Sequence, residues 1–365
     1  MDAGAPASIE QLNQETDMCK PSHWARLAAI ALLSLCGAAV AADKPSGPAL
    51  KFNWGAPTAD YFTLYVAKDL GLFEQANLEP QFFFFQSGAP LIAGLKSESL
   101  DVVTTGLATV FALGQNIPLK LIYWELDHAG GEGLVVNPKS GINSYMDIAK
   151  AKTIAAPSGT CGQVSLALLA KKVGIKYSTL NVLNIAPPLY ANAMASGSLD
   201  AGIAWMPYAQ SLTEAGYKVV SWDPDFAPEG GVCPGMTAAR TKFLQANPDI
   251  GVKLVEIHAK SMEAIAKNPE LAINALMKYL SVTHSVAKAA YDRESGARYP
   301  TLQQQLDPTS QYSMTAKEGG LAKKLHIASQ MLFETGTIPA TLTWEAINAA
   351  VEPAYIRQYL ERSPK

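Results

Sequence analysis

The chain has 365 residues, 48% hydrophobic and 17% charged, with a formal net charge of −3. That length supports two domains, or one large one, with a sizeable core, and the charge balance gives no electrostatic footprint for nucleic acid or an anionic membrane. Near the N-terminus, Arg26 precedes the apolar run Leu27–Cys36, and Ala39-Val40-Ala41 fits the small-x-small pattern of a signal-peptidase site. Residues 1–41 are therefore expected to be a cleaved signal peptide, with Met18 a better initiator than Met1 and the mature protein soluble in the periplasm. The run is too short for a permanent anchor. Its removal takes away Cys19 and Cys36, leaving Cys161 and Cys233, for which an oxidising compartment permits a disulfide or two separate buried thiols.

The elements then follow in order. Leu50–Trp54 reads as a strand, ended by Gly55 and Pro57, and Asp60–Leu70 as a helix. Glu79–Phe85 is a second strand, and its four consecutive Phe residues predict burial inside a sheet. Short apolar runs at Asp101–Thr104, Leu119–Tyr123 and Gly133–Asn137 continue a strand–helix rhythm. The stretch Thr153–Tyr208 organises the rest: runs at Thr153–Ala156, Asn181–Ile185 and Asp200–Trp205 alternate with two helical patterns, which implies parallel β-α-β units. Tyr217–Ser221 and Met236–Arg240 are the last strands. From Pro248 on, long helical patterns dominate. The expected fold class is α/β, a two-lobed arrangement with two hinge crossovers and a helical C-terminal part. Lobe I comprises residues 48–136 and 239–365, and lobe II residues 137–238. The crossings are placed near Val135–Asn137 and Thr237–Arg240.

Ligands of such sheets bind in loops beyond the carboxyl ends of the strands. Ser87-Gly88-Ala89, Thr105-Gly106 and Ser158-Gly159-Thr160-Cys161 each combine small or hydroxylic residues with a following helix. A helix N-terminus offers unpaired N–H groups and a positive dipole end to an oxyanion; ordinary N-capping would select the same residues. A second group is aromatic and acidic. Trp54, Tyr61, Tyr208 and Trp205 lie at or beyond strand ends, Pro188 lies in the loop Pro187–Tyr190, and Glu125, Asp127, His128 and Glu132 cluster in the loop after Leu119–Tyr123. Aromatic walls with a carboxylate suit an ammonium group, whereas Trp and Tyr at core edges with solvated acids would look the same in sequence. G-x-S-x-G, H-E-x-x-H, P-loop and G-x-G-x-x-G patterns are absent, and the five His residues are scattered. No enzyme, no cofactor and no metal are expected.

Asn184-Ile185-Ala186-Pro187-Pro188, Ser196–Ala201, Trp205-Met206-Pro207, Phe85–Ala89, Glu132–Val136 and Tyr299–Gln305 stand in an order and spacing that carry a likeness. The mature chain resembles the solute-binding proteins of nitrate/sulfonate/taurine ABC importers. The resemblance implies a two-lobed periplasmic binding fold (type II), a small ligand such as taurine or a similar sulfonate, a membrane permease as partner, and a monomer. Aromatic carboxylates, nitrate or a pyrimidine are alternative ligands for the same receptor class. The sequence departs from the family at Leu107-Ala108-Thr109, where Ser-Pro is frequent after the glycine, and at Ser158–Gly162, which replaces a hydroxyl-rich loop. Trp54-Gly55-Ala56-Pro57 stands where Gly-Tyr is usual.

Overall fold

The structure is a computed structural model that describes residues 47–294 and 299–363; the segment expected to be a signal peptide, residues 1–41, lies outside them. The described chain builds two five-stranded mixed sheets. The strands are β1 (Leu50–Pro57), β2 (Leu78–Phe85), β3 (Val102–Thr105), β4 (Leu119–Asp127), β5 (Glu132–Val136), β6 (Ile154–Ala155), β7 (Val182–Leu183), β8 (Ala201–Trp205), β9 (Lys218–Trp222) and β10 (Pro234–Arg240). The first sheet runs β2-β1-β3-β10-β4 and the second β7-β6-β8-β5-β9.

The expected parallel β-α-β units are present as β2-β1-β3 and β7-β6-β8. The other pairings are antiparallel. The reason is connectivity. β5 and β10 are each reached from the other sheet, not through a helix packed on their own sheet, so they enter their sheets against the prevailing direction. The chain crosses at residues 128–131 and 223–233, earlier on both passes than the sequence reading placed it. Val135 belongs to the second sheet and Thr237 to the first. The runs around them are buried on both faces, so apolar pattern alone does not say which sheet receives them.

The Phe-rich strand also needs correction. β2 is an edge strand, and Phe82 to Phe85 are each half-buried. Pro80 cannot donate to a ladder, which fits an edge position. Phe82 and Phe84 stack at 6.2 Å beneath the Lys68 ammonium, 5.0 Å from the Phe82 ring, while Phe83 and Phe85 lie against the helix Ala89–Lys96.

The C-terminal helices Ile250–Lys267 and Glu270–Leu280 pack on the helix Phe62–Asp69 and complete the first sheet's outer layer, as expected. The helix Gly320–Glu334 touches both the helix Ala108–Gly114 of the first half and the helix Cys161–Lys172 of the second. Among the described residues no helix is long and apolar enough to cross a membrane.

Candidate functional site

The carboxyl ends of strands from both sheets converge on one small cavity of about 40 Å³, room for a few water-sized groups. Pro57, Ala59, Asp60 and Tyr61 enter it from the loop after β1, and Thr105, Gly106, Leu107 and Ala108 from the end of β3. Gly88, His128, Glu132, Thr160, Cys161, Trp205 and Cys233 complete the lining. Of the residues singled out from sequence, Tyr61, Gly88, Thr105, Gly106, Glu132, Thr160, Cys161 and Trp205 are brought together here.

The others are not. Trp54 is a core residue, fully buried, with its indole N–H donating to Thr104 Oγ1 at 3.1 Å. Asp127 faces Lys324 Nζ at 3.3 Å. β4 runs on to residue 127, where the Asp127 carboxylate also accepts the Ala129 N–H at 3.3 Å, and Asp127 does not line the cavity. Ser87 and Ala89 flank Gly88 without lining the cavity. Ser158 N–H donates to Asn184 Oδ1 at 2.9 Å and Gly159 N–H to Gln163 Oε1 at 2.7 Å, so both are engaged within the second half. Pro188 sits in a single 3-10 turn and Tyr208 opens the helix Tyr208–Glu214 after β8; neither lines the cavity.

The expected anion donors are largely satisfied by the protein itself. Leu107 N–H points at Cys161 Sγ (3.4 Å), and the Thr160 hydroxyl donates to Pro157 O (2.6 Å). Cys161 and Cys233 form a disulfide. Its sulfurs press on Gly106, where an added Cβ would stand 2.5 Å from Cys161 Sγ and 3.3 Å from Cys233 Sγ. The helix Cys161–Lys172 has no side-chain cap on its N-terminus, which leaves its backbone donors and dipole end directed at the cavity.

Part of the lining beside the disulfide is acidic. Glu132 Oε2 and both Asp60 carboxylate oxygens are buried without a hydrogen-bond partner. Such groups are costly to ionise in a low-dielectric site. Burial, above all, lifts the Glu132 carboxyl to about 8, with Ser165 opposing through a hydrogen bond and Asp60 adding to the rise. Burial and then the neighbouring Glu294 charge raise Asp60 well above its usual range, while His128 pulls the other way. His128 Nδ1 sits 2.6 Å from Glu294 Oε2 and 3.5 Å from Asp60 Oδ1. These three could converge on a metal ion, as could Glu132, Cys161 and Cys233. The disulfide occupies both sulfurs of the second set, and in the first the short contact to Glu294 engages His128 Nδ1 while Nε2 has no partner.

Asp60 and His128 were not chosen as site residues from sequence. Asp60 reads there as the first residue of a helix, whereas that helix begins at Phe62 and leaves Asp60 in the strand-end loop. A carboxylate between a strand-ending Pro57 and a helix was the available signal.

The NMT1/THI5-like family model matches residues 58–272, more than half of the chain. The chain belongs to the NMT1/THI5-like family. One relative of this family member, a Bacillus subtilis (strain 168) protein named for binding aliphatic sulfonates, is 31% identical over 54% of this chain. The match spans 60% of that relative's length. The taurine-binding periplasmic protein of Escherichia coli (strain K12) is 24% identical over 70% of this chain and 78% of its own. Among solved structures, the alkanesulfonate-binding protein SsuA from Xanthomonas axonopodis pv. citri, bound to MOPS, superposes with a TM-score of 0.68. It is 18% identical and covers 84% of this chain and 99% of its own. These likenesses establish the periplasmic-binding-protein fold for this NMT1/THI5-like chain. The desulfurization enzyme DSZB shares the fold at a TM-score of 0.60 and 13% identity, covering 86% of this chain and 99% of its own, so fold alone does not separate receptor from enzyme.

Proposed function

We propose that this chain is the secreted, periplasmic substrate-binding component of an ABC importer, a monomer that captures taurine or a similar small aminosulfonate and delivers it to a membrane permease. The observation that carries this reading is the pair of buried acids Glu132 and Asp60, which line the cavity and keep carboxylate oxygens without a hydrogen-bond partner. An ammonium group placed there would ionise both acids and supply the missing donors. The sulfonate would lie against Gly88, Gly106 and the uncapped start of the Cys161–Lys172 helix. Trp205 supplies an apolar wall. The names of the relatives, taurine and sulfonate binders, support the same ligand class. No turnover is proposed, because the thiol nearest the cavity, Cys161, is tied in a disulfide.

Calorimetry with three probes tests the reading. Taurine should bind, while ethanesulfonate, which lacks the amine, and ethylamine, which lacks the sulfonate, should each bind at least about a hundredfold more weakly. Taurine binding at pH 7 should also release protons into buffer, because an ammonium lowers the Glu132 pKa from its position above 7. Equal affinity for ethanesulfonate, or no taurine binding, would remove the ammonium anchor.

The same acids set a pH dependence of stability. Glu132 (about 8) and Glu125 (about 7) hold their protons in the folded state more tightly than a carboxyl near 4.5 does in the unfolded chain. Folded protein therefore binds more protons than unfolded, and stability falls as pH rises from 4.5 towards 8. His258, buried and depressed to about 3, acts oppositely below 6.5, where the unfolded chain takes the extra proton. The clean window is pH 6.5–8. There the midpoint of thermal unfolding should drop, by about 1 kcal/mol of stability per pH unit for each acid still protonated. A flat profile across that window would contradict the buried-acid assignment.

A further inference from the structure

The second crossover, residues 223–233, is long, but its last residue is anchored. Cys233 is bonded to Cys161 with a Cα–Cα distance of 5.4 Å. Cys161 opens a helix that packs on β8 and β5 of the second sheet, and Cys233 directly precedes β10, an inner strand of the first. The Cys233 carbonyl also accepts the His128 N–H at 3.0 Å, which ties it to the other crossover. The covalent route from the second sheet's layer into the first sheet therefore runs through one bond and bypasses the loop. The first crossover, 128–131, is short and ends in Gly130-Gly131, with Gly130 at φ 87°. Non-covalent bridges between the halves include Trp205 Nε1–H to Thr58 O at 3.3 Å and Gln163 Nε2–H to Thr337 Oγ1 at 2.8 Å. The loop itself is held by a hydrogen bond from Lys324 Nζ to Gly231 O at 2.8 Å.

We propose that the Cys161–Cys233 disulfide is a positioning pair that replaces the long crossover as the second hinge link and limits how far the two sheets can part. A disulfide keeps its Cα atoms within about 4.4–6.8 Å. Opening then becomes a rotation about a line through residues 128–131 and the bond, and the halves cannot slide apart. With the bond in place, Cys161 stays against Gly106 and Leu107, so the floor of the cavity remains assembled while its mouth opens. Without it, the limit is set by the loop, and an extended chain reaches about 3.3–3.6 Å per residue. This inference does not depend on which ligand the cavity takes.

Small-angle scattering of the purified ligand-free protein tests it in three forms: oxidised, reduced with a phosphine, and C161S/C233S. A compact chain of this size has a radius of gyration of about 20 Å. Both thiol forms should expand by about 1 Å relative to the oxidised protein, as hinge opening does, with unchanged far-ultraviolet circular dichroism and a cooperative melt. A bond that serves only to stabilise would lower the melting temperature and leave the radius alone. Identical radii in all three forms overturn the proposal, and so does loss of the cooperative melt in both thiol forms.

Discussion

Glu132→Gln is expected to weaken taurine binding by at least about thirtyfold while making the ligand-free protein more stable above pH 7. The amide keeps the side chain's shape and its reach to Ser165 but cannot carry the charge that an ammonium would meet. Truncating one partner of a buried charge pair removes about 2–5 kcal/mol, and the low end of that range sets the thirtyfold bound. The stability gain has the opposite sign for one reason. The native carboxyl, held at about 8 by burial, disfavours the folded state progressively as pH rises, and the amide does not titrate. Paired measurements by calorimetry and thermal melts at pH 6.5 and 8 read both effects. An unchanged affinity would remove Glu132 from the site, and a decrease in stability at pH 8 would mean that its carboxylate is paired in the ligand-free protein.

Trp205→Ala carries the second large effect, a loss of taurine affinity of more than tenfold. Trp205 ends β8, is 8% exposed, lines the cavity and donates its indole N–H across to Thr58 O at 3.3 Å. Removing the ring takes away a wall of the site and one of the links that hold the halves together. Trp→Ala at buried positions also costs about 3–5 kcal/mol of stability, so the melting temperature should fall as well. Trp205→Phe separates the two roles. It keeps an apolar wall and deletes the N–H donor, so it should retain most of the affinity if the wall dominates. A Trp205→Ala protein that binds taurine as tightly as the native one would exclude the wall role altogether.

Much of this was legible in the sequence because strand ends are punctuated. Gly55-Ala56-Pro57, Ser87-Gly88, Thr105-Gly106 and Pro157-Ser158-Gly159 mark where strands stop, and parallel units place ligands beyond those stops. All ten strand runs read from sequence correspond to strands of the two sheets. What local pattern did not carry was partnership. β5 and β10 are buried on both faces, so nothing local says which sheet they join. The choice between Asp127 and Asp60 for the acidic wall depended on the last residues of β4 and on where the first helix starts, and such boundaries are the weakest part of a pattern reading. The Cys161–Cys233 pairing depended on Cα separation, which spacing along the chain does not contain.

The exchange of strands between the sheets has a consequence for how the molecule is made. β10 lies between β3 and β4, so Thr105 pairs with Met236 and Leu121 with Ala238. A growing or translocating chain that has already delivered β1 to β4 still lacks the strand that joins them, and must complete the whole second sheet before it arrives. Contacts of such long sequence separation form late and slowly, and the unpaired β3 and β4 edges would meanwhile invite association with other chains. A nascent chain with this topology gains from being kept extended until β10 is available.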